Sequence, residues 1–229
     1  MTPRPGAGTS ATAGRVGPLG VNERAAAVEH LRTGDPVLRE LIDRLGPLDR
    51  EARRRGRPDD AYGALVRSIV GQQLSTKAAR SIYGRLVEVF DGTAPSPAEL
   101  LGVDPETLRA VGLSRAKVAY LRDLARRVED RELELDRLAD LDDDEVAAQL
   151  IAVKGVGRWT ADMFLVFHLG RPDILPVGDL GIRRAVERTY ELPELPAADE
   201  MLRIGEPWRP HRSLASLYLW RSLDAVPGT

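Results

Sequence analysis

Residues 150–161, LIAVKGVGRWTA, decide the fold. Two glycines one residue apart, Gly155 and Gly157, separate two stretches whose apolar residues recur at helical spacing. Both glycines allow positive φ and close approach of other groups to their backbone. The second helix then presents unsatisfied N–H groups that attract a phosphate, and carbonyls on the other side of the turn can hold a cation. On spacing alone, an ordinary corner between two helices with glycine caps remains an alternative.

The rest of the chain also predicts helices. Capping residues followed by apolar residues at helical spacing start at Asn22, Asp35, Ser75, Ser114 and Asp142. No stretch alternates as a strand, and no repeat is visible, so the sequence predicts an all-α fold of about ten helices. Residues 1–20 are rich in Gly, Pro, Thr and Ala and predict a disordered tail, and residues 49–58 predict a basic loop. The helical domain is expected over 21–229, with the hairpin at about 142–169.

Composition excludes several classes of protein. The chain has no cysteine, which excludes disulfides, thiol catalysis and cysteine-bound metals, and no apolar run reaches the roughly 18 residues of a membrane helix. No secretory signal is visible, and we expect a cytoplasmic protein. The net charge of −2 conceals an uneven distribution, because residues 129–145 hold ten acids against two arginines. The rest of the chain contains 31 basic and 25 acidic residues, so the sequence is compatible with a basic surface on the folded protein.

Four ordered blocks resemble the helix-hairpin-helix DNA glycosylase superfamily, in particular the DNA-3-methyladenine glycosylase II family. They are residues 69–75 (IVGQQLS), 150–161, 175–184 (LPVGDLGIRR) and the segment from 208–213 (WRPHRS) to Trp220. The resemblance implies two helical subdomains with the active site in the cleft between them. Residues 1–30 are too few for the N-terminal β-sheet domain of the long members, so a short form is expected.

The resemblance implies a role for Asp179 as the catalytic carboxylate, which would stabilise positive charge on the deoxyribose when the N-glycosidic bond breaks. Capping of the helix at Leu180 is the structural alternative, and both roles are compatible. Bifunctional members carry a nucleophilic lysine where this chain has Trp159, and an indole cannot form an imine. A monofunctional, hydrolytic enzyme that leaves an abasic site is therefore expected.

The other site residues also follow from the resemblance. A flipped, positively charged alkylbase suits an aromatic pocket. The expected pocket residues are Trp159, Met163 and Trp220, with Tyr62 and Trp208 as weaker candidates. An inserted side chain would fill the gap in the duplex, and the candidates are Gln73 and Leu74. The expected DNA contacts on the hairpin are Lys154, Gly155, Val156, Gly157, Arg158 and Thr160. The expected cation ligands are the backbone carbonyls of Ile151, Val153 and Gly155, which would hold Na, K, Ca or Mg.

No cofactor is expected for catalysis, and His30, His168 and His211 show no metal-ligand spacing with nearby acids. The expected partner is double-stranded DNA that contains damaged bases, with no membrane, and the expected state is a monomer. Two alternatives remain open from the sequence: a glycosylase for deaminated bases such as hypoxanthine, and a non-catalytic DNA-binding hairpin protein. A full block around Asp179 argues against the second, since binding alone needs no buried carboxylate.

Overall fold

The structure, a computed structural model, describes residues 20–49 and 60–224. Within these residues the chain contains no strand, which confirms the all-α class. Twelve α-helices follow one another in these ranges: α1 (Val21–Gly34), α2 (Pro36–Leu45), α3 (Ala61–Gly71), α4 (Thr76–Val89), α5 (Pro97–Gly102), α6 (Pro105–Ala110), α7 (Arg115–Glu129), α8 (Asp143–Ile151), α9 (Arg158–Phe164), α10 (Leu180–Thr189), α11 (Ala198–Ile204) and α12 (Arg212–Asp224). A π-helical turn, Leu165–Leu169, continues α9, and 3-10 helices occur at Leu135–Asp140 and Glu206–Trp208.

Short polar side chains determine where most helices begin. In eight of the described helices the N-cap side chain accepts a hydrogen bond from a first-turn amide: Asp35, Asp60, Ser75, Ser96, Asp104, Ser114, Asp142 and Asp179. The prediction for α1 is wrong, because this helix begins at Val21 rather than after Asn22. The carboxylate of Glu23 accepts a hydrogen bond from the Gly20 amide at 2.8 Å instead, so the N-terminus is satisfied without a capping side chain at Gly20.

Two hydrophobic cores divide the described helices into two lobes. The first core is built from residues between 62 and 174, which include α3 to α9. The second combines α1 and α2 with α10 to α12, so the first lobe is inserted into the second. Leu217 and Trp220 on α12 pack against both cores. This arrangement agrees with the two expected subdomains, and it places the side of α12 that carries Trp220 at their junction.

Asp35 links three elements of the second lobe. Its carboxylate caps α2 and also accepts hydrogen bonds from the Tyr190 hydroxyl and from the Trp208 indole, the latter at 2.8 Å. Trp208 is fully buried. The prediction of Trp208 as a pocket residue is therefore wrong, because its ring fills the second core and its only polar atom is bound there.

Parts of the sequence predictions lie outside the described residues. They are the predicted tail, apart from Gly20, and the predicted basic loop, apart from Asp49. Among the helices that are described, none combines the length and apolar character needed to cross a membrane.

Candidate active site and nucleic-acid interface

The predicted hairpin lies between α8 and α9, over residues 152–157. Gly155 has φ +77°, and a Cβ built on it would lie 2.2 Å from a ring carbon of Tyr120, so the packing admits only glycine there. Gly157 differs from Gly155. Its φ is −103°, and an added Cβ would meet nothing within 4 Å. The fold therefore requires Gly155 but leaves the surface at Gly157 open.

Hydrogen bonds from two directions fix the hairpin. The Lys154 amide donates to the buried Asp123 carboxylate at 2.9 Å, and Arg127 binds the same oxygen at 3.0 Å. Burial alone raises the pKa of Asp123, but hydrogen bonds from Lys154, Arg127 and Arg126 outweigh it and hold the pKa below its usual range. Removal of the Asp123 charge would therefore loosen the hairpin.

The second set of hydrogen bonds comes from the end of α3, where the two glutamines of the 69–75 block follow the helix. The Gln72 side chain donates to the Gly155 carbonyl at 2.9 Å and to the Thr160 hydroxyl at 3.3 Å. Lys117 Nζ donates to the carbonyls of Val70 and Gln72, at 2.8 and 2.7 Å. The turn after α3 and the hairpin thus form one connected surface.

The two candidate wedge residues, Gln73 and Leu74, lie in this turn between α3 and α4. Gln73 is exposed and has φ +57°, a left-handed conformation that non-glycine residues adopt uncommonly. Leu74 is 38% exposed, so it is not a core residue. Both side chains are therefore accessible on this turn, and the insertion of either one into the duplex stays a prediction.

Asp179 lies at the junction of the two lobes, where it caps α10. Its Oδ1 accepts hydrogen bonds from the Ile182 amide at 2.7 Å and from the Trp220 indole at 3.0 Å. Its Oδ2 accepts a hydrogen bond from the Trp159 indole at 2.6 Å. The carboxylate is only 9% exposed. Among the described residues the donors to this carboxylate are two indole N–H groups and one backbone amide, all of them neutral, and they fix the position of both oxygens.

The two tryptophans predicted as pocket walls therefore also bind the carboxylate. Trp159 is 42% exposed and presents one part of its ring to the cleft. Trp220 stacks on Phe167, with ring centroids 5.4 Å apart and an interplanar angle of 29°. Sequence reasoning assigned both rings to the base and missed their N–H groups, because contacts across 20 and 41 residues of chain leave no local pattern.

A cavity of about 760 Å³ adjoins this carboxylate site. Trp159 and Met163 line it, as the sequence analysis expected, together with Phe164, Phe167 and Leu74, whereas Trp220 is not among the lining residues. Residues of α3 and α4 also line it, including Arg67, Ser68, Arg80 and Tyr83, none of which was predicted. Such a volume is large enough for a purine base.

Tyr62 does not lie in this cavity. It is 7% exposed within the first core, and burial raises the pKa of its hydroxyl well above the ordinary value. Its position corrects the prediction of Tyr62 as a base-binding residue, because the ring is enclosed by core side chains.

The hairpin residues predicted to contact DNA fall into two groups. Lys154 and Gly157 are exposed. Arg158 is also exposed, but its Nε donates to Asp162 at 2.9 Å, which restrains it along α9. Val156 and Thr160 are 5% and 3% exposed, so their side chains do not face DNA. A contact through their backbone stays a prediction.

The predicted cation ligands are not three free carbonyls. The Gly155 carbonyl accepts the Gln72 hydrogen bond, and the Val153 carbonyl accepts one from the Val156 amide at 3.1 Å. Within the described ranges, no group of three His, Asp or Glu side chains could hold a metal either. Each carbonyl oxygen has a second lone pair, so a cation held by these carbonyls stays a prediction.

The two lobes, the hairpin and the buried carboxylate at the junction define a helix-hairpin-helix protein of the glycosylase type. Residues 66–210 match the family model described as "HhH-GPD superfamily base excision DNA repair protein". The chain belongs to this superfamily.

Relatives and solved structures agree with this assignment. The chain is 34% identical over 165 residues to DNA-3-methyladenine glycosylase 1 of Schizosaccharomyces pombe, which covers 71% of this chain and 72% of that protein. It is 35% identical over 169 residues to YfjP of Bacillus subtilis, covering 71% of this chain but only 59% of the relative. The structure of the Schizosaccharomyces pombe glycosylase Mag1 with abasic DNA superposes with a TM-score of 0.79 at 31% identity, over 89% of this chain and 99% of that one.

Proposed function

We propose that this protein is a monofunctional DNA glycosylase that flips out alkylated purines, of the 3-methyladenine and 7-methylguanine type, and excises them from duplex DNA. It would act in base excision repair and leave an abasic site. Membership of the superfamily and the names of the relatives support the proposal. The observation that carries it is the buried Asp179 carboxylate, bound by two indole N–H groups next to a cavity of purine size.

Asp179 supplies the negative charge that stabilises the transition state of the reaction. When the N-glycosidic bond breaks, positive charge develops on the deoxyribose, and a fixed carboxylate in a site with little water stabilises that charge strongly. Trp159 and Trp220 act as positioning residues, since their N–H groups hold both oxygens without neutralising the carboxylate. The Ile182 amide adds a third donor from the start of α10.

Water is the nucleophile in this proposal. The position that resembles the site of the lyase lysine carries Trp159, which cannot form an imine. Lys117 donates to two backbone carbonyls, which commits its ammonium to the turn after α3. Lys154 lies exposed on the hairpin, where a phosphate is its natural partner.

The cavity and the turn after α3 have separate roles in base flipping. The rings of Trp159, Phe164 and Phe167 offer stacking surfaces to a base that has left the helix. Leu74 at the cavity edge would take the place of that base in the duplex.

The hairpin binds the DNA backbone independently of sequence, with Lys154, the open surface at Gly157 and the amides that follow it. One chain supplies all these parts, so a monomer suffices. Because its substrate would be chromosomal DNA, we propose that the enzyme acts in the cytosol or nucleoid.

The proposal is tested by incubating the wild-type protein with duplex DNA methylated at random. We expect release of free methylated purines, and strand breaks only after later treatment with alkali. Binding to the same DNA without release of any base would contradict the proposal and would favour a non-catalytic hairpin protein.

A further inference from the structure

Arg67 on α3 differs from the other arginines that reach the protein interior. Its guanidinium is partly buried on the cavity wall, with Cζ 5.8 Å from the Tyr83 ring centroid. It has no hydrogen-bond acceptor or carboxylate partner among the described residues. In contrast, Arg122 and Arg171 donate to backbone carbonyls, as buried and partly buried guanidinium groups usually do.

A guanidinium that has no acceptor among the described residues can donate hydrogen bonds to a ligand in the cavity. Arginine has five N–H donors in a planar fork and no acceptor, and burial of a charge without partners is unfavourable. Tyr83 limits where the group can lie by cation–π contact. Trp159 and Met163 on α9 contribute apolar surface to the same cavity. The cavity therefore suits a flat ring that stacks on one side and presents acceptor atoms to α3.

Damaged purines differ in what they present to such a donor. Guanine and hypoxanthine carry a carbonyl oxygen at C6, an acceptor that Arg binds in DNA recognition. In 7-methylguanine the methyl group occupies N7, so the C6 oxygen is the acceptor left on that edge. Adenine derivatives carry an amino group at C6, which is itself a donor, so at this position they offer no acceptor to offset the repulsion between a guanidinium and a cationic base.

We propose that Arg67 is a specificity-determining residue that donates to the C6 carbonyl oxygen of the flipped base, so that damaged 6-oxopurines are preferred over damaged 6-aminopurines. This inference rests on the proposed function. It concerns the choice among bases and leaves the role of Asp179 unchanged.

The test uses two lesions that arise together in methylated DNA. 7-Methylguanine and 3-methyladenine both carry a positive charge, but only the first has a carbonyl at C6. Release of both bases from one DNA sample is measured by chromatography for the wild type, Arg67→Met and Arg67→Lys. Arg67→Met keeps the apolar stem and removes the donors. Arg67→Lys keeps the charge and loses the fork.

We expect Arg67→Met to lower the rate of 7-methylguanine release by about 10- to 100-fold, as for the loss of a charge-assisted hydrogen bond. The rate for 3-methyladenine should stay within about twofold or rise, because an unfavourable charge is removed. Arg67→Lys should show a smaller selective loss. Arg188→Met is the matched control, since Arg188 is exposed on α10 outside the cavity lining and should leave the ratio of the two rates unchanged.

Equal losses for both bases, or no loss for either, would overturn the inference and would assign Arg67 to the DNA backbone or to the fold. Circular dichroism checks that each variant is folded, and Arg67→Lys carries the comparison if Arg67→Met is not. Release of neither base by the wild type is a separate result, because it contradicts the proposed function itself.

Discussion

Replacement by alanine should lower the free energy of unfolding strongly at Gly155 and only slightly at Gly157. Gly155→Ala places a methyl group 2.2 Å from a Tyr120 ring carbon, on a backbone with φ +77°. The left-handed conformation costs about 1–2 kcal/mol for a residue with a Cβ, and overpacking costs about 1–3 kcal/mol. The expected loss in the free energy of unfolding is therefore roughly 2–5 kcal/mol. Gly157→Ala meets no atom within 4 Å at a φ of −103°, so its effect should stay within about 1 kcal/mol.

Thermal unfolding measures this difference. At about 2–4 °C per kcal/mol for a chain of this size, Gly155→Ala should lower Tm by roughly 4–20 °C and Gly157→Ala by no more than about 4 °C. Adding Tyr120→Ala to Gly155→Ala should recover part of the loss, because it removes the clashing ring. Equal Tm values for the two single variants would refute the packing argument at Gly155.

Duplex binding by the same proteins tests the interface. Because Gly157→Ala keeps the fold, a methyl group there should act only on the approach of the phosphate, with binding weakened about tenfold and the salt slope smaller by about one ion. Wild-type affinity and salt slope in folded Gly157→Ala would show that DNA does not approach the hairpin at this residue.

Three further predictions concern the site and its support. Trp220→Phe keeps the ring against Phe167 and removes one donor to Asp179, so single-turnover base release should fall by about 10- to 100-fold with little change in Kd for DNA; a rate equal to the wild type would contradict the positioning role. Borohydride should trap no covalent complex between the wild type and substrate DNA, since position 159 carries an indole, and efficient trapping would reveal an unrecognised amine nucleophile. The folded-state pKa of Asp123 is lowered, so its stabilisation is complete above the unfolded carboxyl value of about 3.9 and is lost as the pH falls through the folded value. Chemical denaturation from pH 7 to pH 2 should therefore show a smaller acid-induced loss in the free energy of unfolding for Asp123→Asn than for the wild type. An equal loss in both proteins would show that the Asp123 charge does not contribute to stability.

Local signals in the sequence were sufficient for much of the fold. Ser75, Ser114 and Asp142 marked the starts of α4, α7 and α8, because a short polar side chain satisfies first-turn amides whatever lies elsewhere in the chain. Asp179 and the hairpin could also be located, since each lies in a contiguous block that resembles a known family. The missed features depend on pairs of residues that are distant in sequence.

Arg67 illustrates this limit. In the sequence it is one arginine among many, and only the packing of α3 beside α4 and α9 shows that it lines a cavity and has no acceptor within residues 20–49 and 60–224. Tyr62 illustrates the same limit in a different way. Its aromatic ring suggests a pocket residue in the sequence, but α3 directs this ring into the first core. Gly157 resembled Gly155 in sequence, but only Gly155 meets the Tyr120 ring.

Single-turnover base release by Asp179→Asn tests the central claim most directly. Glu187→Gln is its matched control, because it removes one carboxylate charge from the same helix away from the indoles. Duplex binding is measured for both variants, so that a loss of chemistry is separated from a loss of affinity. The account predicts that Asp179→Asn releases methylated purines at least about 100-fold more slowly while it still binds DNA, and that Glu187→Gln behaves as the wild type. Base release by Asp179→Asn at a rate near that of the wild type would contradict the account.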